Sequence, residues 1–239
     1  MINVLSIGNS FSQDAQRYLH RLAKADGELI RSANLYIGGC PLEKHYLNML
    51  DDDKAYDFEF NGDGTGLKVS IREGLRSNKW DVITLQQASV FSVDYNSWHP
   101  YLTELYNYVK KYCPHTKIYL HQTWAYEQDS QRLIDRGFSS AQEMTDIIVE
   151  NYNKAYDLIK ADGIIKCGEG MMELYKKLGK AHRDGLHASL GAGRYLLALT
   201  WYKTITGKDI TANNFNDFDE PVTEEERKAV IEIVNSLVK

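Results

Sequence analysis

The chain has 239 residues, of which 43% are hydrophobic and 26% charged, and its 33 Asp and Glu outweigh 28 Lys and Arg for a formal net charge of −5. This is the composition of an ordinary soluble globule with enough apolar material for a sizeable core. The acidic balance, with no Lys- or Arg-rich run, excludes nucleic acid as the main partner, because phosphate binding wants a basic stripe. Three cysteines, Cys40, Cys113 and Cys167, stand far apart with no CxxC, which suggests neither a zinc site nor a disulfide framework.

No apolar stretch approaches the length of a bilayer span, so no membrane partner is expected. Met1 leads directly into the first apolar run. The sequence as written reads as cytoplasmic, and a secreted protein whose leader had been replaced by Met1 would read the same.

In chain order, the first apolar run, Ile2–Ile7, predicts a strand and runs into "IGNSFS", after which residues 13–24 have helical spacing. A second strand over Leu29–Ile37 exits on Gly38-Gly39. The stretch "AYDFEFNGDGTGLKVS" (55–70) alternates aromatic residues around Asn61-Gly62-Asp63-Gly64, the pattern of an inserted β-hairpin. It lacks the DxDxDG carboxylates of a calcium loop. Residues 81–85 form a third sheet strand, with Gln86-Gln87 at its exit. Helical spacing returns over 100–112, followed by a strand over Ile118–His121 that exits on Gln122-Thr123-Trp124. A helix over Ala141–Ile159, a short strand over 164–167 and an apolar helix over 191–204 follow. The tail opens with Thr223 and Glu226 in capping-box spacing, and Val230, Val234, Leu237 and Val238 give its helix one apolar face. Strands alternating with helices imply an α/β fold: one domain, a three-layer α/β/α flavodoxin-like sandwich with a mostly parallel sheet. Ligands of such sheets sit beyond the carboxyl ends of the strands, where every exit here is polar, glycine-bearing or aromatic.

Ser10 follows the first strand and opens the first helix, which allows two readings. It is a helix cap, or a nucleophile beside the backbone N–H groups of a helix start. A nucleophile needs a base and a group to orient that base. Asp184 and His187, in "HRDGLHASLGAGRYLLALTWY", are three residues apart, close enough to meet within one turn. The plainer reading is a turn opened by Asp184 and a helix capped by His187. His182, Asp184 and His187 as metal ligands rank below the triad for want of a fourth donor.

"IGNSFS" at the first strand, a glycine after the second, an amide after the third and "DGLH" near the end together resemble the SGNH (GDSL-type) hydrolase superfamily. The likeness is to the branch with GNS for GDS and Leu-Gln for the Gly-x-Asn-Asp block, and it spans Ile2 to about Tyr202. The α/β-hydrolase elbow, GxSxG, would instead place glycine where Ser12 stands. The resemblance implies Ser10 as nucleophile, His187 as general base and Asp184 as its orienter. It implies an oxyanion hole from the backbone N–H groups of Ser10 and Gly39 (or Gly38) and an amide, Gln86 in preference to Gln87. It implies no cofactor and no metal.

The expected activity is a serine ester hydrolase, a carbohydrate esterase removing O-acetyl groups from glycans or oligosaccharides. A lipid esterase or thioesterase, or a carbohydrate-binding protein without chemistry, are the alternatives. Asn9, Trp124, Tyr126 and Trp98, with Tyr95 nearby, are the substrate-binding candidates, Trp124 as a platform for a sugar ring unless it packs under a loop. Trp80, Trp201 and His121 read as interior residues.

Overall fold

A computed structural model describes residues 1–239. The strands are β1 (Ile2–Gly8), β2 (Ile30–Tyr36), β3 (Tyr56–Phe60), β4 (Asp63–Val69), β5 (Val82–Leu85), β6 (Lys117–His121) and β7 (Gly163–Ile165). The helices are α1 (Ser10–Gln16), α2 (Leu19–Ala25), α3 (Leu42–Asp51), α4 (Ile71–Arg76), α5 (Ser89–Ser92), α6 (Tyr101–Tyr112), α7 (Gln131–Asp135), α8 (Ala141–Ile159), α9 (Cys167–Leu178), α10 (Ala192–Thr206) and α11 (Glu224–Leu237).

All seven strands join one sheet in the order β4-β3-β2-β1-β5-β6-β7. The five strands β2, β1, β5, β6 and β7 are parallel, with β1 in register from Ile2 opposite Ile30 to Gly8 opposite Tyr36. The hairpin of β3 and β4 extends the β2 edge antiparallel, turning on Asn61 and Gly62 at φ 53° and 88°, as a type I′ turn requires. Side chains alternate across the sheet. Val4 packs under α1, α2, α9, α10 and α11, while Leu5 and Ile7 pack under α3, α4, α6 and α8. Each face buries a cluster of 29 residues, so neither face is left to water, as a parallel sheet demands.

Two sequence expectations shift. The helix expected over 13–24 is broken at Arg17–Tyr18 into α1 and α2, where the Arg17 backbone lies so close to Gly62 that a Cβ there would sit 2.6 Å from its carbonyl oxygen. The strand expected over 164–167 ends at Ile165, and Cys167 already opens α9. After β1 the chain crosses to one neighbour, β2, and later returns to the other, β5. The strand order therefore reverses at β1, and the carboxyl ends of β1 and β5 open a crevice between their exits. Ser10 follows β1 and Gln86 follows β5.

Candidate active site

Whether Ser10 is a cap is decided by its neighbour. Asn9 is the N-cap of α1, in extended conformation, and its Oδ1 accepts the Phe11 N–H at 3.0 Å. The Ser10 hydroxyl is thereby left for another partner, and His187 Nε2 lies 2.9 Å from it. The Ser10 N–H, at the first position of α1, has no intrahelical acceptor.

His187 comes from a tight loop ahead of α10. The Arg183 N–H donates to the His187 carbonyl at 2.9 Å, and the Ser189 N–H to the Ala181 carbonyl at 2.8 Å, folding residues 181–189 back on themselves. Within the loop Asp184 Oδ1 accepts the N–H groups of Leu186 at 3.1 Å and His187 at 2.7 Å, while Oδ2 lies 2.7 Å from His187 Nδ1. Partial burial pushes the Asp184 carboxyl up. The backbone N–H and imidazole of His187, with the Leu186 N–H, outweigh this and hold it at about 2. An ionised carboxylate only accepts, so Nδ1 carries the proton. With one proton on Nδ1, the ring has its lone pair at Nε2, where the Ser10 hydroxyl can donate.

The loop is clamped to α1. Asp14, fully buried one turn beyond Ser10, accepts from Arg183 at 3.0 Å and from Arg194 Nε at 2.8 Å. Arg194 also pairs with Asp219, which in turn binds Arg17. This network went unread in the sequence. Its signal was an acidic residue four positions after the serine, on the face of the helix that packs inward.

Trp124, expected as a sugar platform, is 1% exposed and carries the loop instead. Its Nε1 donates to the Leu186 carbonyl at 2.8 Å, and its ring stacks on Phe11 with centroids 3.7 Å apart. Phe11 in turn meets the His187 ring edge-on. Tyr126 and Trp98 are also buried, Trp98 edge-on against Tyr152, so neither offers an open ring face at the rim. An aromatic ring at this rim stabilises more by packing than by waiting in water. Tyr95 is half-buried and leans on Trp98 and His99. Asn9 too is buried, its amide donating to the Cys40 carbonyl at 3.2 Å, which removes it from the substrate-binding set. His182 turns away to the Ala125 carbonyl, apart from Asp184 and His187.

The glycine turn after β2 is tied to the residue before Ser10 by the Asn9 amide on the Cys40 carbonyl. Ile37 to Cys40 form a turn closed by the Cys40 N–H on the Ile37 carbonyl at 3.2 Å, with Gly39 at φ 63°, as the third position of a type II turn requires. The Gly38 and Gly39 N–H groups have no acceptor within the chain. The glutamines depart from expectation. Gln87 accepts from the Leu42 and Ala88 N–H groups and donates to Ser97, which engages its whole amide. Gln86 lies buried across Gly8, its Nε2 donating to Asn9 Oδ1 at 2.8 Å and its Oε1 3.0 Å from His121 Nδ1. Both amides have polar partners inside the rim, which for Gln87 engage the whole amide and for Gln86 engage its oxygen and one N–H.

The same fold occurs in a putative SGNH hydrolase from Slackia heliotrinireducens, 20% identical with a TM-score of 0.61 over 85% of this chain and 98% of that one. It occurs also in an acetyl xylan esterase, AlAXEase, 17% identical with a TM-score of 0.56 over 85% of this chain and 100% of the other. No curated protein matches the sequence. A much stronger likeness is to the crystal structure of a DUF4886 family protein from Bacteroides uniformis, 33% identical with a TM-score of 0.92 over 99% of this chain and 94% of that one. The model of that family, described as a domain of unknown function, matches residues 3–231, and the chain belongs to the DUF4886 family.

Proposed function

We propose that the protein is a serine ester hydrolase working through an acyl-serine. The observation that carries this reading is the continuous relay from the Ser10 hydroxyl through His187 to ionised Asp184. As an ester carbonyl is attacked by Ser10 Oγ, the hydroxyl proton passes to His187 Nε2, and the imidazolium is stabilised by Asp184. The N–H groups of Ser10 and Gly39 face the developing oxyanion. Collapse of the tetrahedral intermediate breaks the ester C–O bond, and the alcohol leaves with the proton from Nε2. Water, giving its proton to Nε2, then releases the acid and restores Ser10.

The substrate proposed is an O-acetylated carbohydrate. Asp184 and His187 keep 47% and 23% of their side chains exposed, so the relay stands at an open rim that suits a small acyl group on a bulky, hydrated alcohol. The fold shared with an acetyl xylan esterase is consistent with that choice. The aromatic platform once expected contributes nothing to it.

Acetate release from a panel of acetylated oligosaccharides, run beside acetyl and octanoyl test esters, examines both levels. Wild type should release acetate and be labelled at Ser10 by a fluorophosphonate, and Ser10→Ala should lose at least about 10⁴-fold in turnover without unfolding. Faster octanoyl than acetyl hydrolysis would replace the carbohydrate substrate by a lipid-like one. Sugar binding with no labelling of Ser10 would leave a binding protein.

A further inference from the structure

A single line of hydrogen bonds crosses the carboxyl ends of four neighbouring strands. His121 closes β6, Gln86 follows β5, Asn9 follows β1, and Cys40 closes the turn after β2. Their contacts run from His121 Nδ1 to Gln86 Oε1 at 3.0 Å, from Gln86 Nε2 to Asn9 Oδ1 at 2.8 Å, and from Asn9 Nδ2 to the Cys40 carbonyl at 3.2 Å. All four residues are at most 3% exposed.

The direction of this line is fixed from one end. A backbone N–H only donates and a carbonyl only accepts. Asn9 meets one of each, the Phe11 N–H at Oδ1 and the Cys40 carbonyl at Nδ2, so its amide has one orientation. Gln86 must then turn its NH₂ to Asn9 and its oxygen to His121, and His121 must carry its proton on Nδ1. Gly8 leaves the room for this. A Cβ there would stand 2.8 Å from Gln86 Oε1.

We propose that Gln86 and His121 are positioning residues that set the oxyanion hole through Asn9. Asn9 precedes Ser10 in the chain and holds the carbonyl of the residue after Gly39, so the spacing between the two backbone donors depends on how Asn9 sits. Donors act on a transition state only when they are already in place, and a misplacement on the order of 1 Å can lose about 100-fold in rate. A gap in the line removes the Gln86 contact that seats the Asn9 side chain between its two backbone partners, and a shift of Asn9 carries the Gly38-Gly39 turn with it. The loss is therefore expected in kcat, with KM near its wild-type value. Burial lowers the His121 ring to about 3, so the line keeps its polarity at neutral pH.

The kinetic part rests on the esterase reading, so two independent measurements are made. In the first, kcat and KM for an acetyl ester are taken for wild type, Gln86→Ala, His121→Leu, His121→Asn and the double variant Gln86→Ala/His121→Leu, each checked for cooperative unfolding. The single variants should lose about 10- to 100-fold in kcat with KM within about twofold. The double variant should lose no more than either single one, because one broken link already frees Asn9. His121→Asn, whose Nδ2 donor is as far from Cβ as Nδ1, should recover most of the loss. Wild-type kcat in His121→Leu, or additive losses in the double variant, would overturn the proposal. In the second, long-range ¹H–¹⁵N spectra of the wild type read the His121 tautomer with no substrate present. A proton on Nδ1 supports the line, and a proton on Nε2 overturns it even if the protein hydrolyses nothing. Wild type that neither turns over nor labels with fluorophosphonate would overturn the esterase reading by itself.

Discussion

Asp184 divides its work between its oxygens, one holding the turn through two backbone N–H groups and the other holding the imidazole. Asp184→Asn should keep the turn, because its remaining oxygen still accepts both N–H groups, but its NH₂ would face Nδ1 and drive the ring to the opposite tautomer. Nε2 would then carry a proton and could not take one from Ser10. The expected loss is about 10³- to 10⁴-fold in kcat with little change in thermal midpoint, read by ester hydrolysis and by calorimetry. The meeting of Ser10, Asp184 and His187 was legible in the sequence because their types and order are unusual together and one of their two contacts is local. The roles given to Gln86, Asn9 and Trp124 were not. Sequence places each at the rim but does not say which distant neighbour shares its polar atoms, and each has one such partner at least 31 residues away.

The pairing of α1 with the loop before α10 rests on Asp14, a carboxylate with no exposure between Arg183 and Arg194. Asp14→Ala would take the only carboxylate from Arg183 and leave Arg194 with Asp219 alone. Both arginines retain partial access to water, at 27% and 13% of their side chains, so the cost is placed at about 2–4 kcal/mol rather than the full penalty of a broken buried pair. Urea unfolding should show that loss, and kcat should fall with it as His187 drifts from Ser10. The α9 helix illustrates why elements were missed. Its opening sequence, Cys-Gly-Glu-Gly-Met-Met, gives no helical signal because glycine weakens a helix by nearly 1 kcal/mol per residue. Gly168 is there for packing, since a Cβ would come within 2.3 Å of the Thr123 carbonyl oxygen, and Gly170 faces Leu196 of α10 at 3.2 Å. Where the spacing was unbroken, as in α8 and α11, element and limits were readable. The capping box of Thr223 and Glu226 is formed as its spacing implies.

Three histidines buried in the body of the molecule set its response to acid. Burial lowers His45 and His121 to about 3, and lowers His182 to about 4 against the opposing hydrogen bond to Ala125. In the unfolded chain each takes up a proton below about 6.5. The unfolded state therefore binds more protons between about 6.5 and 3–4, and stability falls as pH drops through that window, by up to about 1.4 kcal/mol per unit for each ring. Thermal midpoints recorded from pH 7 to pH 4 should decline, and His45→Gln should flatten the decline. Asp184 and Asp219, both held at about 2, release their contribution only at still lower pH. A final consequence concerns order in time. The serine leaves the ribosome 177 residues ahead of the imidazole proposed to arm it. A polypeptide still under synthesis, or one cut short before Asp184, holds a hydroxyl no more reactive than any other alcohol. Arming the serine waits on the docking of the last quarter of the chain, and a protease that severs that return segment would disarm the molecule without touching Ser10.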